Sequence, residues 1–184
     1  MFSNLSEEKK EEKFNGLINF ASKINNKSLK NACLNILNDY KKELFCKAAG
    51  HDGIEMKKYT KTHQCFDGGL LDHIYNVTKI AYDVGRNYEK QVDLDLILFG
   101  AILHDIGKTK IFDNWNEKSE IKSNLNYSYL LVDHVYIGEK IVEDYLDKEN
   151  ISEKFKYQAL HMIATHMDTM NKHMAEAYIV SYAD

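Results

Sequence analysis

Along most of the 184-residue chain, apolar residues recur at spacings of three and four, the period of a helix with one buried face. Phe14, Leu17, Ile18, Ala21 and Ile24 predict a first helix from about Asn4, where Asn4 and Glu7 have the spacing of a capping box. Leu29, Ala32, Ile36, Leu37, Tyr40 and Leu44 predict a second helix starting near Ser28. A third begins at the pair Gly68 and Gly69, with Leu70, Leu71, Ile74, Val77, Ile80, Ala81 and Val84 on its inner face. A fourth is capped by Asp93, runs through LDLILFGAILHDIG and stops near Gly107. Further helices are expected over 127–146, over 152–167 with Ser152 as cap, and over 174–184. Period-two alternation is nowhere sustained, and no internal repeat is visible. The fold class expected is all-α: one helical bundle of about six to seven helices. Residues 1–45 read as an N-terminal helical appendage packed on a core domain over 46–184.

Two stretches interrupt the periodicity, 50–69 and 108–126. Loops beyond about 12–15 residues are uncommon in compact domains and are often lids or binding loops. Tyr59, Phe66, Trp115 and Tyr127 are candidates within or beside them for stacking on a base, or for plain loop packing. Proline is absent, which lets helices run uninterrupted.

Composition narrows the class. Hydrophobic residues make up 44% and charged residues 28% of the chain. No apolar run approaches the roughly 20 residues needed to span a bilayer. The N-terminal MFSNLSEEKKEEKF lacks the apolar core of a signal peptide, so a cytoplasmic protein is expected, with no membrane partner. A net charge of −4 argues against gripping long nucleic acid by its phosphates. Lysines do cluster at Lys57, Lys58 and Lys61 and at Lys108 and Lys110, as a local phosphate site or as solvated loops. Cys33, Cys46 and Cys65 have neither disulfide nor zinc-site spacing and read as free thiols, with a Cys–His nucleophile as the minor alternative.

Imidazoles and carboxylates stand where a core would prefer leucine. His73 lies in GGLLDHIYNV, His104 and Asp105 in GAILHDIGK, His134 in LVDHVYIGEKI, His166 in ALHMIATHM, and Asp184 ends YIVSYAD. Such side chains at inward helix positions are natural ligands of a divalent ion. Adjacent helix positions diverge by about 100°, so His104 and Asp105 can share a cavity only if the helix ends there, as Gly107 suggests. Asp105, with two oxygens, can then bridge two ions about 3.5–4 Å apart. His161 falls on a different face from His166 and reads as core or as support for a ligand. His51, His63 and His173 read as loop or surface residues.

With GGLLDH followed by HDIGK, the sequence resembles the HD superfamily of metal-dependent phosphohydrolases, whose pattern is a histidine, a His-Asp doublet, two optional histidines and a distant aspartate. The resemblance is strongest to the HD domain of YhaM-type 3′-to-5′ exoribonucleases, over roughly 45–184. It implies an all-α bundle around a central metal site, with His73, His104, Asp105, His134, His166 and Asp184 as ligands. His134 and His166 point to the branch with two ions, drawn from Mn, Fe, Co, Ni, Zn or Mg. Some positions depart from the pattern. Met167 stands where a paired histidine is common, and Gln64 where a loop histidine is found. Asp184 is the final residue, which motivates a non-catalytic alternative. The acidic balance and the lack of room for an RNA-gripping OB-fold make a small nucleotide or short oligonucleotide the expected substrate.

The function expected is hydrolysis of a phosphoester in a nucleotide or short single-stranded nucleic acid by metal-activated water. Asp105 is cast as catalytic, and so is Lys108, as the cation that meets a phosphate oxygen or as a plain helix-terminal charge. The alternatives are a deoxynucleoside triphosphohydrolase or nucleotidase, and a non-catalytic nucleotide-binding module. Oligomeric state is left open.

Overall fold

The computed structural model describes residues 4–50, 64–112, 132–168 and 171–184. These form α1 (Glu7–Ser22), α2 (Lys27–Asp39), α3 (Lys41–Cys46), α4 (Gly69–Asn87), α5 (Leu94–Leu103), α6 (Lys108–Ile111), α7 (His134–Leu146), α8 (Glu153–Ala164) and α9 (Ala175–Ala183). The fold is all-α, with no strand among the described residues. There are more helices than the apolar stripes suggest, for two reasons. The second stripe breaks at Tyr40 (φ −102°, ψ 9°) into α2 and α3. A short α6 also follows the doublet.

Several boundaries are corrected by local hydrogen bonding. Ser6, not Asn4, caps α1, its hydroxyl accepting from the Lys9 amide at 3.3 Å. Asn4 instead accepts from the Asp67 amide, 3.1 Å away. Asp133 caps α7 by accepting from the Val135 amide at 2.9 Å, so that helix begins at His134; residues 127–131 lie outside the described residues. The fourth helix ends at Leu103, four residues before Gly107. The sixth ends at Ala164, where the Thr165 hydroxyl donates to the His161 carbonyl at 2.8 Å. Asp93 and Ser152 cap α5 and α8 as expected.

The centre of the bundle is α5. Residues 96–103 are all buried, and α5 packs on α1, α2, α4, α8 and α9. A helix apolar all round has no solvent face to offer, so it becomes the axis on which the others rest. Leu17, Leu29, Ile36, Leu70, Ile74, Phe99, Leu103, Val142 and Ile163 share one core, to which α1 and α2 contribute fully. A second cluster, Val77, Ala81, Ile97, Ala101, Met162, Ala177 and Val180, fastens α9 to α4, α5 and α8. Each fully buried leucine or isoleucine contributes roughly 1.5–3 kcal/mol. The ends of α5, α8 and α9 are thus anchored beside α4. Among the described residues no helix is long and apolar enough to cross a membrane.

Candidate metal centre

Helix ends deliver most of the polar groups. His104 and Asp105 occupy the turn after α5, His134 opens α7, His166 lies in the turn after α8, and Asp184 closes α9. Only His73 comes from within a helix, α4. The six side chains converge. His73 Nε2 is 3.1 Å from His104 Nε2, 3.1 Å from Asp105 Oδ2 and 2.9 Å from Asp184 Oδ1. His104 Nε2 is 3.5 Å from the same oxygens of Asp105 and Asp184. On the other side, His134 and His166 have their Nε2 atoms 3.4 Å apart, at 3.3 and 3.6 Å from Asp105 Oδ1. Lys108 Nζ stands 2.7 Å from Asp105 Oδ2.

The outward nitrogens explain this orientation. His104 Nδ1 lies 2.9 Å from the Ala101 carbonyl and His166 Nδ1 2.8 Å from that of Ile163. Both carbonyls belong to last turns of helices, where no intrahelical N–H reaches them. His134 Nδ1 is 2.9 Å from Asp133 Oδ1, and His73 Nδ1 is 3.1 Å from Gln64 Oε1. All four partners are acceptors, so all four Nδ1 atoms carry protons and all four Nε2 atoms face the centre. That is how metal-binding histidines are held by their surroundings.

The interior demands positive charge. Asp105 is 1% exposed, and neither of its oxygens has a well-formed hydrogen bond, although Lys108 is close. Burial alone would raise its pKa, but Lys108 and His104 hold it well below the usual carboxylate range. Burial likewise opposes ionisation of Asp184, and hydrogen bonds from His104 and His73 keep it ionised far below that range. Burial also disfavours the His104 imidazolium, yet the carboxylates of Asp105 and Asp184 prevail and raise it to about 9. A metal ion entering here must displace that proton.

Two sets of ligand atoms could each hold a metal: His73, His104, Asp105 and Asp184, and then Asp105, His134 and His166. The donors are a mixture of imidazole and carboxylate, which suits Mn, Fe, Co, Ni or Zn. The residues therefore fit a divalent ion in each set, with Asp105 common to both. The second set draws three ligands from the described residues, leaving positions for water or substrate.

Other candidates lie elsewhere. Phe66 is buried and offers no stacking face. Tyr59, Trp115, Tyr127, His51, His63 and the lysines at 57, 58 and 61 lie outside the described residues. His161 is half-buried, stacks on His173 at 5.8 Å and accepts from the His173 amide at 3.2 Å, apart from the ligand sets. Cys33 is a core residue whose thiol pKa is pushed up by burial, which removes it as a nucleophile. Two supporting residues went unread in the sequence, Asp133 and Gln64. The first was signalled only by its adjacency to His134, the second by occupying a position where the resemblance has a histidine.

Comparison with known proteins gives this arrangement a family. The HD domain matches residues 70–184, well over half of the chain. The protein belongs to the HD superfamily of metal-dependent phosphohydrolases. The dihydroneopterin 2′,3′-cyclic phosphate phosphodiesterase of Methanocaldococcus jannaschii is 28% identical over 183 residues, covering 91% of this chain and 66% of the relative. The 3′-5′ exoribonuclease YhaM of Bacillus licheniformis is 38% identical over 64 residues, covering 35% of this chain and 20% of the relative. The chain thus spans just under two thirds of the first relative and a fifth of the second. No solved structure matches.

Proposed function

We propose that this chain is a divalent-metal-dependent phosphodiesterase acting on a nucleotide or a short single-stranded nucleic acid. One observation carries the reading: the buried Asp105 carboxylate lies between two imidazole pairs, one oxygen towards each. His73, His104, Asp105 and Asp184 would hold one ion, and Asp105, His134 and His166 a second. Divalent ions supply Lewis-acid charge, acidifying water and neutralising phosphoryl oxygens. The protein's part is to orient and to exclude. Each Nδ1 contact fixes the direction of an imidazole, and the buried walls of α5 and α8 keep bulk water from Asp105. Lys108, its ammonium beside Asp105, is a cation available among the described residues to a phosphoryl oxygen as negative charge develops. Residues 1–45 belong to this reading as an appendage packed on the HD-type domain of 46–184.

Both named relatives cleave phosphodiesters, one cyclic in a small molecule and one in RNA. That favours a diester over the triphosphohydrolase and nucleotidase alternatives. The test is purified protein with Mn²⁺, Mg²⁺, Fe²⁺, Co²⁺ or Ni²⁺ on bis-p-nitrophenyl phosphate. A panel of 2′,3′-cyclic nucleotides, short oligonucleotides, deoxynucleoside triphosphates and nucleoside monophosphates follows. Turnover of diesters that vanishes in His104→Ala and Asp105→Ala is expected. Undiminished turnover in those variants would overturn the assignment, and tight nucleotide binding without turnover under every metal would identify a regulatory module instead.

A further inference from the structure

His104 and His166 take their orienting acceptors from their own helices, because both follow a helix end. His73 cannot. It lies within α4, where the carbonyls of the preceding turn are engaged in the helix, so its acceptor must come from elsewhere. That acceptor is Gln64 Oε1. An amide offers an oxygen at one end and N–H donors at the other, and its orientation decides which nitrogen of a neighbouring imidazole is protonated. Here the orientation is dictated. Gln64 Nε2 donates to Asp72 Oδ2 at 2.8 Å, and an ionised carboxylate can only accept. The other oxygen, Asp72 Oδ1, is 2.9 Å from Lys13 Nζ on α1. Lys13 is itself held over the Tyr75 ring, 4.7 Å from its centroid.

The turn carrying Gln64 is built to hold this pose. Gln64 has a left-handed backbone (φ 49°), and its carbonyl accepts from the amides of Ala49 at 3.2 Å and Phe66 at 3.0 Å. A Cβ on Gly69 would fall 1.9 Å from that carbonyl oxygen, so only glycine lets α4 start so close. α1 grips the same turn again. Lys10, 3% exposed, places its ammonium 2.6 Å from Asp67 Oδ2.

We propose that Lys13, Asp72 and Gln64 form a positioning relay that fixes His73 with its proton on Nδ1, so that the N-terminal helix sets the metal affinity of the centre. This rests on the metal-centre reading above, and it gives α1, which precedes the family match, a part in the site.

The relay is tested on the full chain with two readouts that need no turnover. The first is Mn²⁺ or Zn²⁺ affinity by competition with a chelator. Gln64→Leu should weaken it about 10–100-fold, the usual cost of losing an outer partner of a ligand, with Lys13→Met acting in the same direction by less. Gln64→Glu alone sets two carboxylates side by side and should also weaken binding. The paired exchange Gln64→Glu with Asp72→Asn swaps amide and carboxylate, restores donor to acceptor at both links, and should return affinity to within a few-fold of the parent. The second readout is the ¹⁵N–¹H correlation spectrum of the imidazoles in metal-free protein, recorded at a pH high enough that each imidazole carries a single proton. His73 should be protonated at Nδ1 in the parent and in the paired exchange, and should lose that preference in Gln64→Leu. Unchanged affinity and tautomer in Gln64→Leu would overturn the relay, as would a paired exchange no better than its single variants. A protein that binds metal yet hydrolyses nothing would count against the hydrolase reading and not against the relay.

Discussion

Gly107→Ala is the substitution that most sharply tests how the second ligand set is assembled. The backbone there is ordinary (φ −62°, ψ −26°), so alanine is tolerated conformationally. The difficulty is space. A Cβ would fall 1.9 Å from the His134 carbonyl oxygen and 2.7 Å from the Gly138 amide nitrogen, both backbone atoms. Contacts under 3.0 Å are essentially never found for a Cβ, so α7 must retreat from the doublet by about 1 Å. That retreat carries His134 away from Asp105 Oδ1, now 3.3 Å distant, while His73 on α4 and His104 and Asp184 at the ends of α5 and α9 stay in place. Overpacking of this kind costs about 1–3 kcal/mol. For a chain of this size that lowers the melting temperature by about 2–12 °C. A misplacement of about 1 Å at a reacting centre costs on the order of 100-fold in rate. The assays are thermal unfolding, metal stoichiometry by calorimetry, and hydrolysis of bis-p-nitrophenyl phosphate. Expected is a folded protein that keeps one metal tightly, binds the second weakly and turns over about 100-fold more slowly. Two tightly bound metals with unaltered turnover would refute the idea that the close seating of Gly107 on α7 positions His134.

Three further outcomes are expected. Lys108→Met should leave metal stoichiometry intact and lower the rate on a diester by about 100–1,000-fold, the scale found when one charge-stabilising donor is removed; a change confined to KM would place Lys108 in substrate binding alone. The metal-free protein should melt at a lower temperature at pH 9.5 than at pH 6.5. His104 is raised from 6.5 to about 9, so its favourable contacts with Asp105 and Asp184 are complete below about 6.5 and lost as pH rises through 9; a flat profile over that interval, read by calorimetry, would be inconsistent with this. Adding Mn²⁺ to about 100 times its dissociation constant should stabilise the fold by about 2.7 kcal/mol and raise melting by roughly 5–10 °C, reversed by chelator.

The six converging residues were legible as a joint pattern of imidazoles and carboxylates set in successive apolar helical stretches, not one by one. GAILHDIGK and LVDHVYIGEKI break their apolar stripes with groups that a core accepts only when they are paired. Capping was legible where a single candidate stood before a stripe, as at Asp93 and Ser152. It misled where two stood close together. Asn4 and Ser6 can both cap, and a tertiary contact from the Asp67 amide draws Asn4 away. The start of α7 was obscured because apolar residues upstream of Asp133 continue the helical period past a capping residue. At the doublet, the glycine of HDIGK drew the helix end four residues too far along, whereas the chain leaves α5 at Leu103 and enters a turn at once. Gln64 was marked in the sequence only by standing where the resemblance has a histidine, and its contact with His73 was not legible. Its role depends on a left-handed turn packed against Gly69, a contact that no local pattern encodes.

Anomalous diffraction from crystals grown with Mn²⁺ tests the central claim most directly. Two peaks about 3.5–4 Å apart are predicted, one on either side of the Asp105 carboxylate, the first among His73, His104 and Asp184 and the second beside His134 and His166. No peak at Asp105, or metal bound only at some other part of the surface, would contradict it.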